Sequence, residues 1–217
     1  MSHHRRKVAT WLFCLALAAG SATQANSGTA TAQSAQEQLE STIIIIEALK
    51  SRTPRGISSD SGRTSQDEEL IDRLREAPVR SLTMTERHEM AIVAATRPSI
   101  DLEINFDFDS DELGPDALPA AVALGLALSD PAFTGSVFLI AGHTDAEGSI
   151  EYNQDLSERR ALAVRRFLVE TFGLPADHLL AAGYGKELLK NPDFPFAAEN
   201  RRVEIVHLIG LPTSGND

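Results

Sequence analysis

Ser136-Val137-Phe138-Leu139-Ile140-Ala141 leads directly into Gly142-His143-Thr144-Asp145-Ala146-Glu147-Gly148. A short continuous apolar run with branched and aromatic members reads as a strand buried in a core. The second stretch reads as a shaped loop at that strand's end. Gly142 and Gly148 suit tight backbone turns, and binding residues are often carried on loops fixed by a rigid scaffold. Neighbouring segments supply the rest of a sheet. Ile100, Leu102, Ile104, Phe106 and Phe108 alternate with Asp101, Glu103, Asn105, Asp107 and Asp109, which predicts one long strand with a buried face and an acidic face. Leu179–Ala182 and Arg202–Leu208 read as two further strands, and Gly183-Tyr184-Gly185 as a turn. Leu118, Val122 and Leu126 recur every four residues within 115–129 and predict a helix. A longer helix ends near Phe172, with Gly173 as its C-cap. The order β-α-β-α-β-β predicts an α/β fold, specifically an α+β two-layer sandwich with a mixed sheet and helices packed on one face.

The chain before residue 99 has a different texture. His3-His4-Arg5-Arg6-Lys7 precedes an apolar stretch from Val8 to Ala19 and then small residues. This reads as a secretory signal peptide within 1–32, cut after Ala25 or after Ala32. Twelve apolar residues are too few for a membrane span, which takes roughly 20. Trp11-Leu12-Phe13 lacks the small residues that would make Cys14 an acylation site. Residues 33–98 contain no aromatic side chain; they read as a helical segment, distinct from a domain at 99–210 and a flexible tail at 211–217. Within that segment, Leu39, Ile43, Ile46 and Leu49 fall at helical spacing. Residues 52–67 read as a Ser/Gly-rich linker. Ser65 with Glu68, and Thr83 with Glu86, each read as a capping box opening a helix, and Pro78 closes the first of the two. The Ile43–Ile46 helix packs either on the domain, on its own copy, or on a partner protein.

Charge narrows the function classes. The 217 residues hold 20 Lys and Arg against 31 Asp and Glu, a net charge of −11. That balance disfavours nucleic acid as a partner and a polybasic membrane-surface role. Loss of Arg5, Arg6 and Lys7 with a signal peptide takes the charge to −14 and removes Cys14, the one cysteine. Thiol catalysis, disulfides and cysteine-ligated metals then drop out. His88, His143, His178 and His207 show no ligand spacing, so no metal or cofactor is expected.

Two chemistries remain open around Asp145 and Arg160. Ser157 reads as the N-cap of a helix whose apolar stripe includes Ala161, Val164, Phe167 and Leu168, which puts Arg160 on the buried side. A buried arginine needs a partner. One reading is a structural ion pair, Asp145 included among its candidates. In the other, the two charges face one another across a gap and receive the ammonium and carboxylate of a zwitterion, the arginine through its bidentate fork. Asn200-Arg201-Arg202 reads as carboxylate-paired scaffolding rather than an anion site. An exported hydrolase would use His143, Asp145 and Glu147 as acid–base groups, but no G-x-S-x-G supplies a nucleophile. A periplasmic adaptor recruiting a protein through residues 33–98 is the third class.

Phe106-Asp107-Phe108-Asp109-Ser110, Gly142-His143-Thr144-Asp145, Tyr152-Asn153, Leu156-Ser157, Arg160-Ala161, Gly183-Tyr184-Gly185 and Asn200-Arg201-Arg202-Val203 together resemble the OmpA-like peptidoglycan-binding domain. The likeness runs from about Ile100 to Leu208. It implies a non-catalytic, cofactor-free protein of the periplasm, peripheral to the outer membrane, whose partner is peptidoglycan through the diaminopimelate of the stem peptide. By position it assigns the ligand's ammonium to Asp145 and its carboxylate to Arg160. Thr144, Asn153 and Leu156 would line the pocket, and Asp109 and Ser110 would add backbone contacts. Residues 33–98 match no family, and self-association or a protein partner remains open for them. The acidic surplus fits an ammonium-seeking site: from Asp101 to Asp116 the chain has acids and no base.

Overall fold

The computed structural model describes residues 27–50, 61–76, 82–104, 106 and 109–209. Residues 1–26 of the signal-peptide reading and the tail at 211–217 lie outside the described residues, and residues 27–32 open the first helix. Helices α1 (Ser27–Lys50), α2 (Ser61–Glu76) and α3 (Met84–Ala94) precede strand β1 (Ser99–Leu102). They are followed by α4 (Leu118–Leu128), β2 (Val137–His143), α5 (Ile150–Phe172), β3 (Leu179–Gly185) and β4 (Val203–Ile209). The chain falls into two units, Met1–Gln36, whose described part is the start of α1, and Glu37–Asp217.

The strands form one mixed sheet in the order β1-β4-β2-β3. β4 is antiparallel to both β1 and β2, and β2 is parallel to β3. The parallel pair is the one joined through α5, as a crossover requires. Alternation along the strands separates two cores. Phe138, Ile140, Leu179, Val203 and Ile205 pack with Leu124, Ala127 and Leu128 of α4, with Ala161, Val164 and Leu168 of α5, and with Ile45 and Leu49 of α1. Val137, Leu139, Ala141, Leu180, Ala182, Tyr184, Val206 and Leu208 face Leu70, Ile71 and Leu74 of α2 and Met90 and Val93 of α3. Within 99–209 the helices lie on one face, as the order of elements predicts. Of the helices before residue 99, α2 and α3 cover the other face of the sheet, which adds a third layer, whereas Ile45 and Leu49 of α1 join the core on the α4 and α5 side. Every residue of β2 is buried, which is why it reads as an unbroken apolar run.

Several local expectations are corrected. Among the described residues, the run from Ile100 to Asp109 is strand only within Ser99–Leu102. Leu102 pairs with Val203, the first residue of β4, and the Ile104 N–H turns back to the Leu102 carbonyl. Ser157 is not an N-cap. Ser149 is, its Oγ accepting the Tyr152 N–H at 3.1 Å. Gly183-Tyr184-Gly185 is the end of β3 rather than a turn. The expected linker is helical from Ser61 onward, so Ser65 lies inside α2 rather than capping it; Ser, Thr and Gly each cost a helix no more than about 1 kcal/mol. The capping box of Thr83 and Glu86 does open α3, and Gly173 caps α5 with φ of 67°. In α1 the buried positions are Thr42, Ile45 and Leu49, whereas Leu39 and Ile43 are exposed. No helix among the described residues is long and apolar enough to cross a membrane.

Candidate functional site

The site is built where α5 presses on the C-terminal ends of β2 and β3. Gly142 is not a turn residue. A Cβ there would lie 2.1 Å from the Ser157 carbonyl oxygen, and one at Gly183 would lie 2.5 Å from both the Ser157 Oγ and the Glu158 nitrogen. Neither approach is possible with a side chain in place. Ser157, fully buried, joins the two layers: its Oγ accepts the Gly185 N–H at 2.8 Å and donates to the Gln154 carbonyl at 3.0 Å. Gln154 Nε2 donates to the Gly183 carbonyl at 2.8 Å. The docking at Ser157 places Arg160 one helical turn further along α5.

The loop after β2 is tied down along its length. The Thr144 N–H donates to Gly185 and the Ala146 N–H to Pro195, both at 2.9 Å. Thr144 is buried, and its Oγ1 donates to the Asp145 carbonyl. Gly148, with φ of 87°, makes the turn that glycine permits. Asn153, 2% exposed, donates to the carbonyls of Glu147 at 2.6 Å and Ser149 at 2.9 Å. Its side chain thus holds the loop in shape. Leu156 is buried beside it in the sequence of α5.

Arg160 and Asp145 do not pair with each other among the described residues. Arg160 Nε donates to the Ser110 carbonyl at 3.0 Å, and its guanidinium lies 4.9 Å from the Phe106 ring centroid, within cation–π range. Burial pulls its pKa below the usual arginine value. Asp109 sits at φ of 52° and accepts the Tyr152 hydroxyl at 3.0 Å. The neighbouring Arg159 carries the ion network of this corner, meeting Asp111 at 2.8 Å, Asp155 at 2.9 Å and Asp109 at 3.7 Å. Asp145, 9% exposed, binds Arg201 instead: its Oδ2 lies 2.7 Å from Arg201 Nη1, and its Oδ1 accepts the Glu147 N–H at 3.1 Å. The reason is the sheet. The His143 N–H donates to the Arg202 carbonyl at 3.0 Å, which draws the lead-in to β4 alongside the loop. Arg202 pairs with Asp101 at 2.9 Å, so both arginines hold carboxylates, as the sequence predicts. A cavity of about 100 Å³ lies here, its walls including Phe106, Gly142, Arg160, Arg201 and Arg202.

His143 and Asp145 serve different neighbours. The His143 ring stacks on Tyr184 at 5.6 Å, and its Nε2 lies 3.5 Å from Glu204, too long for a full hydrogen bond. Burial holds its pKa below the usual histidine value. No group of three or more metal-ligating side chains occurs among the described residues.

Residues 105–202 match the model of the OmpA family. The peptidoglycan-associated lipoprotein of Burkholderia pseudomallei, a solved structure, is 32% identical, with 53% of this chain and 92% of that chain covered and a TM-score of 0.40. The chain carries an OmpA-family domain at residues 105–202. The peptidoglycan-associated lipoprotein of Pseudomonas aeruginosa is 41% identical over 102 residues, 46% of this chain and 58% of that protein. Outer membrane porin F of the same species is 36% identical over 107 residues, 48% of this chain and 30% of the porin. The chain thus spans less than two thirds of either curated relative.

The OmpA-family match includes Asp109, Ser110, Thr144, Asp145, Asn153, Leu156 and Arg160, and it leaves out α1, α2 and α3. Sequence reasoning treated Arg201 as scaffolding and missed that its partner would be Asp145. Sequence separation hides that pairing, and only the register of β4 against β2 reveals it. The packing role of Gly142 was missed for a similar reason: a glycine at a strand end looks the same whether it makes a turn or admits a helix.

Proposed function

We propose that this protein anchors itself to peptidoglycan in the periplasm without catalysis, through the free ammonium and carboxylate of diaminopimelate in the stem peptide. Asp145 takes the ammonium, and Arg160 takes the carboxylate. Thr144, Asn153 and Leu156 shape the pocket, and Asp109 and Ser110 border it. The observation that carries this reading is the OmpA-family match over residues that include all seven, alongside a Pseudomonas aeruginosa relative named for its association with peptidoglycan. The geometry supports it. The acid follows β2 and the arginine stands on α5, and one cavity is lined by Arg160 and by Arg201, the partner of Asp145.

Each charge-assisted contact contributes about 1.5–3 kcal/mol. Affinity for the free amino acid is therefore weak, and retention on the wall rests on many stem peptides acting together. In a pull-down with purified sacculi, the intact protein co-sediments, and Asp145→Ala or Arg160→Ala each weakens binding about tenfold or more. Undiminished co-sedimentation of both variants overturns the assignment. Muropeptide release during the same incubation would instead point to a hydrolase.

A further inference from the structure

The carboxylate assigned to a ligand ammonium is already engaged. Asp145 Oδ2 holds the Arg201 guanidinium at 2.7 Å while Oδ1 accepts the Glu147 N–H at 3.1 Å. The acid is largely covered, its side chain 12% exposed, whereas that of Arg201 is 50% exposed. An arriving ammonium must take over Oδ2 and displace Arg201 from it. The backbone beneath Arg201 is fixed and its side chain is the part able to swing. The Arg201 N–H closes a tight turn onto Ala198 at 2.9 Å. Fully buried Asn200, just before it, donates to the carbonyls of Phe194 and Pro195 and accepts the Asn191 N–H.

Displacement has a cost that depends on the ligand. Arg201 lines the same cavity as Arg160 and Arg202. Arg202 is held by Asp101 at 2.9 Å, and the charge of Arg201 is among those that disfavour the charged form of Arg160, after burial and Arg159. A bare ammonium that removes Asp145 from Arg201 leaves a guanidinium uncompensated beside two others. A zwitterion restores the balance: its ammonium replaces Arg201 on Asp145, and its carboxylate meets the released Arg201 together with Arg160. One charge pair is broken and each of its members finds a new partner of opposite charge.

We infer that Arg201 is a specificity-determining residue: its ion pair with Asp145 closes the ammonium site to simple amines and opens it to ligands that bring a carboxylate on the same carbon. This rests on the diaminopimelate reading above.

The test compares meso-diaminopimelate with its diamide, which keeps both ammonium groups and lacks both carboxylates. Chemical-shift titration of the whole protein reads both affinities. The intact protein prefers the diacid by at least tenfold. In Arg201→Gln that ratio falls by about tenfold or more, because the amine no longer competes with a cation and the diacid loses a partner. Arg201→Lys, which keeps the charge, recovers most of the preference. An unchanged ratio in a folded Arg201→Gln protein that still binds the diacid overturns the inference and leaves the proposed function standing. Failure of the intact protein to bind either the diacid or sacculi overturns both.

Discussion

At the scale of single residues, His143 is the group whose charge state the fold controls. It is 3% exposed and lies on the sheet face that α2 and α3 cover, stacked on Tyr184. Burial lowers its pKa from 6.5; Glu204 and Asp101 oppose that shift, and Arg202 adds to it. Tyr184, itself pushed up by burial, feels Arg87 of α3 and Glu204, so the charged groups around the ring are Glu204, Arg202, Asp101 and Arg87. A lowered folded pKa fixes the sign. The stabilisation from burying the neutral ring is complete above pH 6.5. It is lost as pH falls from there towards the folded value, because the unfolded chain takes up the proton first. Thermal unfolding should therefore show a Tm that declines between pH 7 and pH 5. His143→Gln should flatten that decline without abolishing it, since burial also lowers the pKa of His207, which is held by Ser136 and Leu49. Superimposable Tm profiles for the two proteins would show that folding does not lower the pKa of His143. This buried role was not legible in the sequence, where a histidine two positions before an aspartate reads as loop chemistry. The strand parity of β2, extended to residue 143, stacks the ring on Tyr184 and brings it near Glu204.

At the scale of elements, the seam between α5 and the β2–β3 pair determines whether the site exists. Its closest approach, at Ser157, rests on Gly142 and Gly183. Gly142→Ala puts a methyl carbon 2.1 Å from the Ser157 carbonyl oxygen, a backbone atom that cannot swing aside, so α5 must shift bodily. Overpacking of this kind costs about 1–3 kcal/mol and sometimes more. Because Arg160 lies on α5 and Asp145 follows β2, the shift also moves the two side chains proposed to hold the ligand against each other. Chemical denaturation of Gly142→Ala should show the loss of stability, and sacculus binding should fall further than that loss explains at temperatures where the protein stays folded. Full binding by a folded Gly142→Ala protein would show that the seam does not set the site. Much of this architecture was legible. The strands read at 136–141, 179–182 and 202–208 fall on β2, β3 and β4, and the helix within 115–129, the end of α5 at Gly173 and the capping box at Thr83 follow from periodicity and end signals. What was hidden depends on neighbours. Ser157 has the hydrogen-bonding habit of an N-cap, but its partner is the Gly185 N–H from another strand. The alternation from Ile100 to Asp109 is real, but a strand continues only as far as a strand beside it, and β4 begins opposite Leu102.

At the scale of the whole molecule, the absence of Phe, Tyr and Trp from residues 33–98 suggests a boundary that the packing does not respect. Ile71 and Met90 are fully buried, and with Leu70, Leu74 and Val93 they cover Val137, Leu139, Ala141, Val206 and Leu208. The OmpA-family match stops short of these helices, yet the second face of the sheet is apolar because something must sit on it. A fragment of residues 99–217 would open that face to water as one contiguous patch, larger than soluble proteins tolerate singly. It should bind a hydrophobic dye and aggregate, even though every residue assigned to the ligand is present. Within the full chain, Ile71→Ala and Met90→Ala should each lower unfolding stability by about 2–5 kcal/mol, while a folded variant still co-sediments with sacculi, since neither side chain lines the cavity. A soluble, dye-silent 99–217 fragment with a single cooperative transition would show instead that the sheet tolerates an open face, and that α2 and α3 are there to meet a partner. The two outcomes assign the first half of the chain differently: as the third layer of one domain, or as a separate binding element held in reserve on its surface.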